Sequence, residues 1–325
     1  MIDVVTEAVA GRLAERAVTR LGPALIFWSG GALAWLTGNG GWAGLVRLGE
    51  QAAELPGLVQ LALLAGVLVV VSASALLVAR LTRPVLRLLE GYWPRPAGWL
   101  RDRLVTRTAA RRAALAAELR QLAGPVDSGQ ASTAQTARYA HCEAALHRLP
   151  AERWLLPTPV GNLLRAAEVG PTEKYGVDAV AVWPHLWCVL PEPVRTDLAR
   201  ARVGVDNAVA AVIWGLGFVA FAGWNAWAVP AGLLLAGCAA GWWVPARAAS
   251  YADLLTAGYD LYRGELYRQL RWPLPDNPDD ERRSGRQLTT YLVRGLAGTA
   301  PTFVPAPPPT FVPAPPPTDT AAGAT

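Results

Sequence analysis

Residues 21–46, 55–79 and 207–246 contain no Asp, Glu, Lys or Arg, whereas residues 80–120 are dense in arginine. An uncharged apolar run of roughly 18 or more residues is long enough for a helix that crosses a bilayer. Residues 58–79 (LVQLALLAGVLVVVSASALLVA) form the clearest such run; residues 21–37 are shorter, contain glycine and lead into TGNGG. The run 207–246 has 40 residues, about 60 Å as a helix at ~1.5 Å per residue, twice the ~30 Å hydrocarbon thickness. One span cannot use that length. Its middle, WNAWAVP, sets Trp224 and Trp227 beside turn-prone Asn225 and places Pro230 where a new helix would start. A hairpin is therefore predicted, with one helix near 208–226 and the next near 229–246.

Between the first two runs, residues 43–55 (AGLVRLGEQAAEL) read as an amphipathic helix lying along a surface. A signal peptide cleaved after Ala32-Leu33-Ala34 is the rival for the first run. The leader 1–20 is too long and too acidic for a signal n-region.

The polar stretches are also helical in period. Leu100, Leu104, Leu115, Leu119 and Leu122 recur at helical spacing among arginines, a pattern broken by Gly124-Pro125, and DSGQASTAQTA (127–137) reads as a polar linker. Thr158-Pro159 is a cap and first turn for the stripe Val160, Leu163, Leu164 and Ala167. VDAVAVWPHLW fits both a strand and a helix, and the helix is preferred. A further stripe, Leu255, Tyr259, Tyr262, Leu266 and Leu270, runs until Pro273; Asn277 caps the next helix, with Pro278 opening it and Leu288, Tyr291, Leu292 and Leu296 on its buried side. Residues 302–309 and 310–317 repeat TFVPAPPP, a composition that gives polyproline II and no core. Such a tail is a spacer, or else presents Phe303 and Phe311 to a groove.

Composition sharpens this picture. Charged residues make up 17% of the chain, below the soluble norm. Lys174 is the only lysine, and Ala, Gly and Pro are abundant, as in a high-GC bacterial coding sequence. Cys142, Cys188 and Cys238 have no CxxC spacing, so no disulfide framework is implied. Arg12, Arg16, Arg20, Arg80, Arg83, Arg87, Arg200, Arg202 and Arg247 flank the runs on one side and Arg47 alone on the other, which places both termini and the middle region in the cytoplasm. The arginines of residues 80–120 then face anionic headgroups, each contributing ~1 kcal/mol of attraction near such a surface. No aromatic-interleaved basic motif points to nucleic acid.

Enzyme signatures are missing: GxxxxGK[ST], HExxH, CxxC and GxSxG do not occur. His141, Cys142, Glu143 and His147 form the best metal-like cluster, but His141 and His147 fall on opposite sides of a helix, so no metal and no cofactor is expected. The apolar runs hold no ionisable side chain of the kind a proton-coupled carrier uses. Gly237-xxx-Gly241 and Gly30-xxx-Ala34 are candidate close-packing pairs.

TPVGNLLRAAEVGPTEKYGVDAVAVWP (158–184), together with YADLLTAGYDLYRGELYRQLRWPLP (251–275), resembles a group of multi-pass membrane proteins of high-GC bacteria with no assigned activity. The resemblance implies a shared patch of Gly161, Asn162, Arg165, Glu168, Tyr175, Asp178 and Trp183. Turns, caps and internal salt links of a helical domain explain the same residues.

The expectation is an all-α protein of the bacterial cytoplasmic membrane, built on a four-helix transmembrane bundle of two hairpins. Residues 1–81 carry an amphipathic leader and the first hairpin, with spans near 21–37 and 58–80; residues 82–206 form a cytoplasmic helical region; residues 207–246 are the second hairpin. Residues 247–298 pack on 82–206, and residues 299–325 are a disordered tail. The expected function is a scaffold or sensor for a protein partner or a second copy of itself. A membrane enzyme acting on a lipid or isoprenoid through Glu168 or Asp178 with Arg165, and an oligomeric pore, are the alternatives.

Overall fold

The computed structural model describes residues 21–38, 41–295 and 302–305, and its secondary structure there is helical throughout, without strands. Helix α1 covers 21–38, α2 is Gly41–Ala53 and α3 is Gly57–Glu90. A short 3-10 turn, Arg95–Ala97, leads into α4, Gly98–Asp127. Then follow α5 (Thr133–His147), α6 (Pro159–Tyr175), α7 (Ala179–Val189), α8 (Glu192–Phe218), α9 (Ala228–Cys238), α10 (Val244–Gln269) and α11 (Pro278–Arg294). Three helical stretches are long and apolar enough to cross a membrane, the mark of a membrane protein: they begin at Gly57, Glu192 and Ala228.

The helix breaks at WNAWAVP, between α8 and α9. A 3-10 turn, Val219–Gly223, closes α8, and Asn225 accepts the Trp227 amide at 3.0 Å through Oδ1. Its Nδ2 donates to Thr37 Oγ1 at 2.7 Å, tying the end of α1 to this break. Around that end Ala34, Phe221 and Ala228 are buried together, with Phe27, Trp28 and Phe218 packed on them. Trp28 Nε1 donates to Ser74 Oγ at 3.1 Å, linking α1 to α3.

Several boundaries differ from expectation, all for one reason. Charge-free runs mark where lipid is tolerated, not where hydrogen bonding stops. α3 continues past residue 81 to Glu90, α8 begins at Glu192 instead of near 208, and α9 passes through a five-residue π turn, Ala239–Trp243, straight into α10. The proposed domain limits at 81, 206 and 246 therefore fall inside continuous helices. Pro245 lacks an amide to donate to the preceding turn, and the wider π turn beside it is a common way for a helix to absorb that loss.

Two loop readings are also corrected. Helix α4 runs through Gly124-Pro125 to Asp127, because a proline in a final turn still accepts hydrogen bonds: the Gln130 amide donates to its carbonyl at 3.0 Å. Most of the linker 127–137 is helix, since Ser132 and Gln135 form a reciprocal capping box that opens α5 at Thr133. The glycine pair 237/241 has nothing close to it; the tight crossing of α8 and α9 is instead at Gly215 and Gly232, where a Cβ on Gly232 would lie 2.5 Å from the Gly215 carbonyl oxygen. Gly30 does pack closely, against the Phe218 ring.

Two further clusters of buried side chains continue the molecule away from the α8–α9 break. Leu86, Val160, Leu164, Val205, Val209 and Val244 join α3, α6, α8 and α10 at the junction. Beyond them Val182, Leu186, Leu198, Tyr259, Tyr267, Trp272 and Leu288 form the core of a helical domain made from α6, α7, α10, α11 and the start of α8. The domain is thus a direct extension of the apolar helices. α4 and α5 pair mainly with each other, through buried Leu115 and Cys142 and the Arg138–Glu118 ion pair at 2.5 Å.

Candidate functional site

The seven residues of the suspected patch lie on or beside α6 and α7. Thr158 caps α6 by accepting the Gly161 amide at 3.0 Å, as its sequence implies. Asn162, buried, accepts the Leu156 amide at 2.8 Å and donates to the Leu156 carbonyl at 2.7 Å and the Thr158 carbonyl at 2.9 Å. Gly161 faces the last carbonyl of α3, that of Glu90. The positive end of α6 thereby meets the negative end of α3, a favourable arrangement of the two helix dipoles.

Arg165 stacks over the Trp154 ring at 4.6 Å and reaches Glu168 at 3.3 Å. At the other end of α6, Tyr175 donates to Asp260 at 2.6 Å while Arg263 sits 4.0 Å over its ring. Burial, and then the bond to Asp260, push the Tyr175 phenol up to about 12. Asp178 caps α7, accepting the Val180 amide at 2.9 Å and the Ala181 amide at 3.2 Å, and its own amide donates to Thr289. Trp183 packs against Tyr259 at 5.9 Å and Trp187 at 5.6 Å.

Of the seven, Glu168 and Trp183 share a cleft. A cavity of about 190 Å³ is lined by both, with Val180, Tyr251, Leu255 and Tyr259. It adjoins a second of about 480 Å³ that shares Trp183 and Tyr251 and adds Trp187, Leu198 and Arg202. The Arg202 guanidinium lies 5.8 Å over the Tyr251 ring and 3.4 Å from Asp206. Burial raises the Tyr251 phenol, partly offset by Arg202.

Glu90, at the end of α3, lies within electrostatic reach of Glu168 and Arg202. Burial raises its carboxyl above the ordinary range, the neighbouring Glu168 raises it further, and Arg202 and Arg87 pull it back. The two clefts therefore set the Glu168 carboxylate and the Arg202 guanidinium along one wall of Trp183 and Tyr251, with the Glu90 carboxyl close enough to feel both charges. Arg202 and Tyr251 lie five residues beyond the ends of the charge-free run, about 7 Å along a helix. Glu90 is eleven residues beyond its own run, about 16 Å.

Sequence reasoning singled out neither Glu90 nor Tyr251 for this site, and used Arg202 only for orientation. Nothing local joins positions 90, 168, 202 and 251; the crossing of α3, α6, α8 and α10 does. Among the described residues no group of His, Cys, Asp and Glu is placed to hold a metal ion. No protein family, curated protein or solved structure matches the chain.

Proposed function

We propose that this chain is a multi-pass protein of the bacterial cytoplasmic membrane whose helical domain serves as a scaffold or sensor for a protein partner. The observation that carries this reading is the continuity of α3, α8 and α9–α10 from the apolar runs into the polar domain. Side chains of one helix then belong both to the part surrounded by lipid and to the core around Val205, Val244 and Tyr259. A shift or rotation of the spans moves that core with them.

Helix α1 supplies the fourth span in this proposal. Pro23 shares a cavity with Arg83 and Asp206 at the domain end, and Thr37 bonds Asn225 at the far end, so α1 matches the extent of its neighbours. The bacterial multi-pass group implied by residues 158–184 belongs to the same proposal. The domain end carries Arg80, Arg83, Arg87, Arg200, Arg202 and Arg247, which supports a cytoplasmic location against anionic headgroups. The α4–α5 hairpin, with Arg101, Arg103, Arg107 and Arg111 exposed, is the surface offered to the partner.

A photo-crosslinking residue at Arg107, followed by capture of the full chain in mild detergent, tests the reading. A crosslinked adduct with a different protein is expected. Adducts with a second copy alone, or none, would count against it.

The cleft at Glu168 favours a second reading, an enzyme or binder acting on a lipid headgroup, because Arg202 and Tyr251 lie about 7 Å from the span ends. Asp178 is a weaker choice than Glu168 for its chemistry, since its carboxylate already caps α7. Full function in cells with Glu168→Gln, at normal protein level, would dispose of this alternative.

A further inference from the structure

The turn after α10 contacts Phe303 and Val304 of the tail. Arg271 takes a left-handed backbone conformation, φ 55°, which few L-residues adopt without cost. That geometry lets the Trp272 amide return to the Tyr267 carbonyl at 2.9 Å, with the Trp272 ring buried and its Nε1 donating to Ser284 at 2.9 Å. It also leaves the Arg271 carbonyl and guanidinium facing outward side by side. Both are used by one residue: the Val304 amide donates to the Arg271 carbonyl at 2.9 Å, and Arg271 Nε donates to the Val304 carbonyl at 3.1 Å. Phe303 sets its edge against Trp272 at 6.2 Å and Tyr291 at 6.0 Å.

The contact is therefore a short backbone pairing at Val304 plus one aromatic anchor, Phe303. Pro305 restricts Val304 to the extended region before any contact is made, which lowers the ordering cost. These three residues recur as Phe311, Val312 and Pro313, within an identical eight-residue repeat. The spacer reading of the tail is thus amended for 302–305, while residues 306–325 lie outside the described residues.

We infer that the surface formed by Arg271, Trp272 and Tyr291 is a receptor for Phe-Val-Pro segments and that its second occupant is the repeat 310–317 of the same chain. Both repeats present the same atoms, so the two registers differ chiefly in tether. The tether from Gly295 roughly doubles between Thr302 and Thr310, which lowers the effective concentration of the second repeat about threefold. Register one fills the groove with Phe303 and Val304; register two would fill it with Phe311 and Val312. One groove thus serves two repeats, and a partner that takes one repeat leaves the other to fill it.

The full chain in detergent, with a fluorescent TFVPAPPP peptide read by anisotropy, tests this. Phe303→Ala/Phe311→Ala should vacate the groove and bind the peptide saturably, and a TAVPAPPP peptide should not bind. The natural chain should bind roughly tenfold more weakly than the double variant, because its own tail competes at an effective concentration near the millimolar range. Phe303→Ala alone should resemble the natural chain, since Phe311 substitutes, and this should hold across protein concentrations. Absence of binding to the double variant overturns the receptor; a single variant as open as the double one, or closure that depends on protein concentration, overturns the intrachain second occupant. The substitutions lie in the tail, and unchanged circular dichroism confirms that the domain is intact.

Discussion

Gly161 has its Cα so near the carbonyl of Glu90 that a Cβ there would lie 1.9 Å from that oxygen. The oxygen belongs to the last turn of α3 and cannot rotate away, while the α6 side is fixed by Thr158 and Asn162. Gly161→Ala should destabilise the detergent-solubilised chain by about 1–3 kcal/mol, the usual cost of overpacking. Gly170, in the same helix, has nothing within 4 Å of its added Cβ. Gly170→Ala should be neutral or stabilise by up to ~1 kcal/mol through helix propensity. Thermal denaturation of the two variants side by side checks the contrast, and equal effects would mean that the α3–α6 contact is not tight.

Asn162 is the polar group most committed to the fold. Its replacement by Ala would strand the Leu156 amide and carbonyl in a buried place. A loss of about 3 kcal/mol is expected, since each buried polar group left without a partner costs roughly 1–3 kcal/mol. Asn162→Asp should also destabilise, because it keeps the acceptor but removes both donated bonds. Chemical denaturation of the purified variants reads both losses.

Both glycine and asparagine were visible in the sequence as members of one motif, but their roles were not. Local signals were legible wherever the physics is local: Thr158-Pro159 and Asn277-Pro278 open helices as their side chains require, and Asn225 marks the α8–α9 break. The Ser132–Gln135 capping box was just as local, yet its Gln, Ala and Ser surroundings disguised it as linker. The cleft was not legible because Glu168, Arg202 and Tyr251 come from three helices. Nor was the docking of Phe303, which depends on the left-handed turn at Arg271. Hydropathy located the apolar segments, but helix ends beyond them were set by core residues such as Leu86 and Val205 that resemble any other aliphatic position.

Tyr175 joins α6 to α10 through its bond to Asp260. Tyr175→Phe keeps the ring under Arg263 and removes only that donor, leaving Asp260 with Lys174 at 3.4 Å. A cost of about 1 kcal/mol is expected near neutral pH. The phenol is pushed up to about 12 from its ordinary value of 10.0, so the native state keeps a proton that the unfolded chain loses in between. Its stabilisation is full below pH 10 and is lost as pH rises through about 12. The stability difference between the natural chain and Tyr175→Phe should therefore shrink across that interval in denaturant titrations. A constant difference would show that the phenol titrates alike in both states.

The carboxyl of Glu90 carries the same logic into the acidic range. Burial first, and the Glu168 charge second, hold its proton on in the native state above the ordinary value of 4.5. With more protons bound when folded, the native state gains stability at low pH and loses it as pH rises through the native value. Glu90→Gln cannot titrate and leaves the Glu90 backbone carbonyl in place. Its melting temperature should match that of the natural chain at or below the ordinary carboxylate range and exceed it progressively as pH increases toward neutrality. Glu168→Gln should recover only part of this gain, because burial is the larger cause and remains. Arg202→Gln should act oppositely, removing a charge that favours ionised Glu90, and should steepen the decline with pH. Melting curves for the four proteins from pH 4 to 8 separate these effects. Parallel curves for the natural chain and Glu90→Gln would show that Glu90 titrates alike in the folded and unfolded chain.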